Sequence, residues 1–267
     1  MINIKIPEKK SKSFIENFFI KKGLVDIVEK SKGEDYKVND IQINTPYKPV
    51  LNDLYRLYQF IILNKRTTVL ELGSGWSSLI FSLALWELKK KKFKEVNKLR
   101  RNNLFELFIL ENEIKYLNIS RNRISKFKKK NNFKNFIKIN YSLSEVEMTL
   151  FNNKISTQYK KLPLCNPDFI YIDGPDQFNV KKNINGINTG HKDLMPMTCD
   201  VLKFEYFFTP GTFIVVDGRG ANAKFLKDNF TRKWKYINDK KNDQHIFLLK
   251  DEILGKYNYL QNKFYQK

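Results

Sequence analysis

The sequence predicts an α/β fold: one doubly wound, mostly parallel seven-stranded sheet with an antiparallel final strand. Three observations carry this. Short apolar runs alternate with longer amphipathic stretches, as in repeated βα units. Runs such as Phe169–Ile172 are apolar throughout, as strands covered on both faces must be. The last two runs are joined by a short polar link, which allows only an antiparallel pair.

The elements follow in order. Residues 1–46 are polar and lysine-rich, with apolar patches at Phe14–Ile20 and Gly23–Val28, and read as a loosely packed helical lead-in. Pro46 and Pro49 bracket a helix start, and Asn52 is a suitable cap. Leu54, Leu57, Tyr58, Ile61 and Ile62 have helical spacing, which predicts a helix over 51–64. Strands are expected at Thr67–Leu72, Leu104–Leu110, Phe136–Ile139, Asp168–Ile172 and Thr212–Val216. A closing pair is expected at Lys233–Ile237 and His245–Leu249, joined by Asn238–Asp243. Helices are expected at Ser77–Leu88 with a charged continuation to about residue 99, then at Lys115–Lys130, Leu143–Tyr159, Leu194–Phe208 and Ala221–Phe230. The main domain is therefore 47–252, with 253–267 a C-terminal tail.

Composition narrows the function. The chain has 267 residues and 42% hydrophobic content, enough for one large buried core. No window of about 18 apolar residues exists, so no membrane span is predicted. The stretch MINIKIPEKKSKSF lacks the apolar core of a signal peptide, and the expected location is the cytoplasm. Cys165 and Cys199 stand apart, without zinc or disulfide spacing, and read as reduced thiols. The net charge of +21 would suit a nucleic-acid partner. However, the excess is mostly lysine, travels with Asn and Ile, and falls in helical stretches such as Lys89–Lys94 and Lys126–Lys130, where it reads as solvated helix faces.

Ligands of open α/β sheets bind at the carboxyl ends of the strands, where strand order reverses. The first strand ends in Glu71-Leu72-Gly73-Ser74-Gly75-Trp76-Ser77-Ser78. Gly73 and Gly75 allow a tight turn and a ligand close to the next helix. A dinucleotide site would need a third glycine, but Ser78 takes that place, and Glu71 would oppose a pyrophosphate. The other strands end at Glu111, Asp173 and Asp217. Four carboxylates around one crevice suit a cationic, hydroxyl-bearing ligand better than a phosphate. S-adenosylmethionine, with a sulfonium, an ammonium and a ribose diol, has that chemistry.

These residues resemble the class I S-adenosylmethionine-dependent methyltransferase family over roughly residues 45–250. Val69–Ser78 (VLELGSGWSS) is similar to its first motif and Phe108–Leu117 (FILENEIKYL) to its second. Pro167–Gln177 and Pro210–Arg219 are similar to its fourth- and fifth-strand motifs. The resemblance implies a Rossmann-like methyltransferase domain over 47–252. It makes Glu71, Gly73, Ser74, Gly75, Trp76 and Asp173 cofactor-binding residues, with Gly73 and Gly75 approaching the methionine part and Ser142 near the adenine. The ribose falls to Glu111 or to Glu113, because the connection from Glu71 is longer than the ~20 residues of a typical unit.

The acceptor hydroxyl must lose a proton. In one route Asp173 and Asp217 hold Mg²⁺ or another divalent metal, as in related small-molecule and sugar O-methyltransferases, although Gly218 stands where a second acid is common. In the other, Asp173, Asp176 or His191 is the base. His191 lies in the polar stretch Asp176–Lys192, which has the length of a substrate loop, and His245 reads as structural. The expected acceptor is a sugar or another small hydroxylated molecule. Three rivals remain. A nucleic-acid methyltransferase would need a second proline and an aromatic residue in Asp173–Asp176 to stack a flipped base. A non-catalytic Rossmann-like binding protein would not need the acidic strand ends. A nicotinamide oxidoreductase is disfavoured by Glu71.

Overall fold

The computed structural model describes residues 2–33 and 47–267. The expected start at Pro46 lies outside them. The chain opens with helices α1 (Lys12–Lys21), α2 (Val25–Ser31) and α3 (Leu51–Leu63). The sheet then builds through β1 (Thr68–Leu72), α4 (Trp76–Val96), β2 (Glu106–Glu111), α5 (Ile114–Lys130) and β3 (Lys138–Leu143). A hairpin of β4 (Val146–Phe151) and β5 (Lys154–Tyr159) precedes β6 (Phe169–Ile172) and the short β7 (Val180–Lys181). After α6 (Asp200–Lys203) come β8 (Phe213–Asp217), α7 (Gly220–Asn229), β9 (Trp234–Asp239), β10 (Gln244–Leu249) and α8 (Gly255–Gln266).

The main sheet has seven strands in the order β3-β2-β1-β6-β8-β10-β9. All neighbours from β3 to β8 pair in parallel, and β10 is antiparallel to both β8 and β9. This is a doubly wound, Rossmann-like α/β fold, with the final strand reversed as the sequence predicts. Strand order reverses between β1 and β6, so their carboxyl ends open a crevice there.

Strand alternation feeds two cores. Val69, Leu107, Ile109, Phe169 and Val215 face a layer made by α3, α4 and α5, while Leu70, Leu110, Ile170, Ile214 and Phe247 face the other side, where α7 packs. Burying both faces explains the absence of polar alternation in β1, β2 and β6.

Five expectations need correction. First, Leu143–Tyr159 is not a helix. It holds the β4–β5 hairpin, which turns at Asn152 and Asn153 with φ of 48° and 60°. Asparagine tolerates that left-handed pair, which matches strand twist. Second, Leu194–Phe208 is helical only at α6 and in one 3₁₀ turn, Glu205–Phe207. Pro196 has no N–H to give, and a helix through it would lose a bond. Third, α3 is capped at Val50, not Asn52, whose amide donates to Asn242 Oδ1 at 3.1 Å.

The last two corrections concern the ends. The described part of the lead-in is packed, not loose: Ile15, Phe19, Leu24, Ile27 and Val28 join the main core. The expected tail contains α8, whose Phe264 and Tyr265 join the same core. Tyr265 donates to Asp168 Oδ2 at 2.8 Å and lies 4.0 Å from the fully buried Arg66 guanidinium.

Candidate active site

A cleft of about 500 Å³ opens at the β1/β6 reversal. That size lies within the usual range for small-molecule sites. Its floor is the glycine loop after β1. Gly73 has φ of +100°, and a Cβ there would lie 2.9 Å from Gly174 N. A Cβ on Gly174 would in turn lie 2.7 Å from Gly73. These two glycines are required by each other, because two strand-end loops touch. Gly75 differs: a Cβ there would meet only Ser77 Oγ, at 3.6 Å. Space above Gly75 is open, as a ligand cradle requires.

The acids converge as the strand ends dictate. Glu71 is 1% exposed and lies beneath the loop rather than on the cleft wall. Its Oε1 accepts from Ser77 Oγ at 2.5 Å, and its Oε2 has no hydrogen-bond partner among the described residues. Burial, partly opposed by the Ser77 and Ser78 hydroxyls, pushes its carboxyl up to about 8. Glu111 lines the cleft, with Oε1 accepting from the N–H groups of Asn112 and Glu113 and Oε2 from Ser74 Oγ at 2.7 Å. Burial raises it to about 7 against those bonds. Glu113 does not line the cleft; it caps α5 and accepts from Asn179 Nδ2.

Asp173 and Asp217 both face the cleft. Asp173 has 56% of its side chain open, yet protein closes around the crevice, and this enclosure pushes its carboxyl up, opposed by Arg219. The Asp217 carboxyl is lifted to about 7, first by burial and then by the Asp173 charge. Tyr171 donates to its Oδ2 at 2.7 Å. Asp53, in the first turn of α3, adds a further cleft carboxylate and is raised by burial. Arg219 answers this negative charge. Its Nη2 donates to the carbonyls of Asp173 and Pro175, at 2.7 and 3.1 Å, and its Nε lies 3.8 Å from Asp173 Oδ1.

The remaining expected residues fall as follows. Ser74 and Trp76 line the cleft, and Trp76 Nε1 donates to Tyr47 O at 3.2 Å. Asp176 also reaches it, but its Oδ1 accepts from the N–H groups of Phe178 and Asn179, so it caps its own loop. Ser142, on β3, is not on the cleft wall. Nor is His191, whose side chain is 66% exposed and whose Nδ1 accepts from Asp193 N. Only its carbonyl contributes, by anchoring Gln177, a cleft residue. His245 accepts or donates to Tyr236 OH at 2.8 Å within the β9–β10 pair. Asp53, Tyr171 and Arg123 lack local sequence signals and enter through tertiary packing alone.

The donor set does not fit a divalent metal. Among the described residues no three His, Cys, Asp or Glu side chains group to hold one. Asp217 already accepts from Tyr171, and a guanidinium stands against Asp173. The set suits S-adenosylmethionine better: cleft carboxylates for cationic groups, an open glycine cradle, and Glu111 on the wall.

No family model and no curated protein matches the chain. Solved structures do. One is an O-methyltransferase from Bacillus cereus in complex with SAH, at 12% identity over 89% of this chain and 97% of that one, TM-score 0.40. Another is the O-methyltransferase TomG from Streptomyces achromogenes, involved in tomaymycin synthesis, in complex with SAM, at 11% identity over 92% of each chain, TM-score 0.38. Among the described residues no helix is long and apolar enough to cross a membrane. Both cysteines are free thiols.

Proposed function

We propose that this protein is an S-adenosylmethionine-dependent methyltransferase that methylates a hydroxyl of a sugar or another small acceptor in the cytoplasm. One observation carries the reading: Glu111, Asp173 and Asp217 converge on one cleft beside an open glycine loop, with Glu71 buried beneath it. Where they are ionised, the cleft carboxylates disfavour a phosphate-bearing nucleotide. Glu111 is assigned the ribose hydroxyls. The Gly73–Gly75 loop and the start of α4 take the methionine part.

When bound, S-adenosylmethionine supplies an electrophilic methyl group on a sulfonium. The chain's own residues must then orient an acceptor hydroxyl and take its proton. Asp173 is assigned as the base. Its carboxylate is open to the cleft, whereas Asp217 is held by Tyr171 and Asp176 by its own loop. A carboxyl raised above its ordinary value is a better proton acceptor near neutral pH. Arg219 positions Asp173 and keeps part of its charge. The donors do not suit a metal, and turnover should survive EDTA.

The test is methyl transfer from S-adenosylmethionine to a panel of hydroxylated sugars, phenols and oligonucleotides. The reading expects small hydroxylated acceptors to be methylated and Asp173→Asn to lose turnover while retaining S-adenosylhomocysteine binding. Methylation of oligonucleotides alone would overturn the acceptor class, and full turnover in Asp173→Asn would remove Asp173 from the chemistry.

A further inference from the structure

Arg123, on α5, lines the cleft beside Trp76, with its guanidinium carbon 3.5 Å from the centre of the indole ring. Ser120 Oγ donates to Gly75 O at 3.3 Å, which sets this part of α5 level with the glycine loop. Arg123 is half-buried, yet among the described residues nothing hydrogen-bonds or ion-pairs with it. The other arginines that are not exposed all have such partners. Arg56 bonds to Asp239, Arg66 to Gly211 O, Arg101 to Asn166 O, Arg219 to Asp173 O and Arg232 to Asp251.

Stacking occupies the face of the guanidinium and leaves its N–H donors unused. Leaving a half-buried cation unmatched is costly, and here burial alone pulls its pKa down to about 10. Lys30, 5.4 Å from the same ring, adds a second cation rather than a counter-charge. A planar fork held on an aromatic ring is matched best by a carboxylate, which it can take through two bonds.

We propose that Arg123, held on Trp76, is a carboxylate-binding subsite of the cleft. The proposal rests on the methyltransferase reading. The amino-acid tail of S-adenosylmethionine has its ammonium and sulfonium for the acids and its carboxylate for Arg123. A carboxylate on the acceptor offers the same chemistry.

Full-length wild type, Arg123→Ala and Arg123→Lys are titrated with S-adenosylhomocysteine and with 5′-methylthioadenosine, which lacks the tail. If the tail is the source, Arg123→Ala weakens S-adenosylhomocysteine roughly ten- to hundredfold, leaves 5′-methylthioadenosine unchanged, and Arg123→Lys recovers part of the loss. If the acceptor is the source, S-adenosylhomocysteine binds both proteins alike, and the loaded wild type binds 4-hydroxybenzoate about tenfold or more tightly than the loaded Ala variant. Equal binding of all three probes by wild type and variants overturns the subsite. Arg123→Lys gives the same comparison if the Ala variant melts early. Wild type that binds no S-adenosylhomocysteine defeats the methyltransferase reading instead, and 4-hydroxybenzoate with unloaded protein then tests the subsite alone.

Discussion

Replacing each loop glycine with alanine separates fold from function. At Gly73 the backbone φ of +100° is left-handed, and an L residue there costs roughly 1–2 kcal/mol. The new methyl would also lie 2.9 Å from Gly174 N and 3.1 Å from Asp173 C, both backbone atoms that cannot rotate away. Overpacking of this kind costs roughly 1–3 kcal/mol more. The sum is about 2–5 kcal/mol, which in a chain of this size lowers Tm by roughly 5–15 °C. At Gly75 the methyl meets only Ser77 Oγ at 3.6 Å, an ordinary contact. Stability should change by no more than about 0.5 kcal/mol, partly because alanine restricts the unfolded chain. The same methyl stands in the ligand's space, so S-adenosylhomocysteine should bind about tenfold or more weakly. Thermal melts followed by circular dichroism, with calorimetric titration, read both effects. A Gly73→Ala protein that melts with wild type, or a Gly75→Ala protein that binds as wild type does, would refute this assignment of the two glycines.

Two further outcomes follow from the buried groups. Glu71, Glu111 and Asp217 are raised to about 8, 7 and 7, so the folded chain holds protons that the unfolded chain has released. Their contribution to stability is fully present below the unfolded carboxylate range and is lost as pH rises through about 8. The ligand-free protein should therefore melt at lower temperature at pH 8.5 than at pH 5.5. Glu71→Gln should remove part of that slope, and a slope unchanged in the variant would contradict the burial of an ionising Glu71. Ending the chain at residue 252 removes Phe264 and Tyr265 from the core and uncovers Arg66. Losing two buried aromatics costs roughly 5 kcal/mol or more, comparable with the whole stability of a domain, so the shortened chain should be unfolded by circular dichroism. A cooperative melt near that of the full chain would contradict the docking of α8.

The central sheet was legible because burial on both faces leaves a simple mark. Strands such as Phe169–Ile172 have no polar face to disguise them, and their carboxyl ends are punctuated by acids and glycines. What was illegible depended on weaker or non-local signals. In β4, Val146 and Met148 point into protein between more open Glu147 and Thr149, and this two-residue alternation was outweighed by the segment's mixed polarity. The Asn152-Asn153 pair was the missed turn signal. For the site, residues just after a strand are delivered to the crevice by topology alone, which is why Gly73, Glu111, Asp173 and Asp217 could be named in advance. Asp53 and Arg123 sit inside helices, where only packing decides which turn meets the cleft. His191 misled because rarity and loop location say nothing about which way a ring points.

Calorimetric titration of the wild-type chain and Glu111→Ala with S-adenosylhomocysteine and with NAD puts the acidic cleft to its most direct test. One-to-one binding of S-adenosylhomocysteine, weakened about tenfold or more in Glu111→Ala and with no heat from NAD, is the expected result. Tight NAD binding, or S-adenosylhomocysteine affinity indifferent to Glu111, would contradict it.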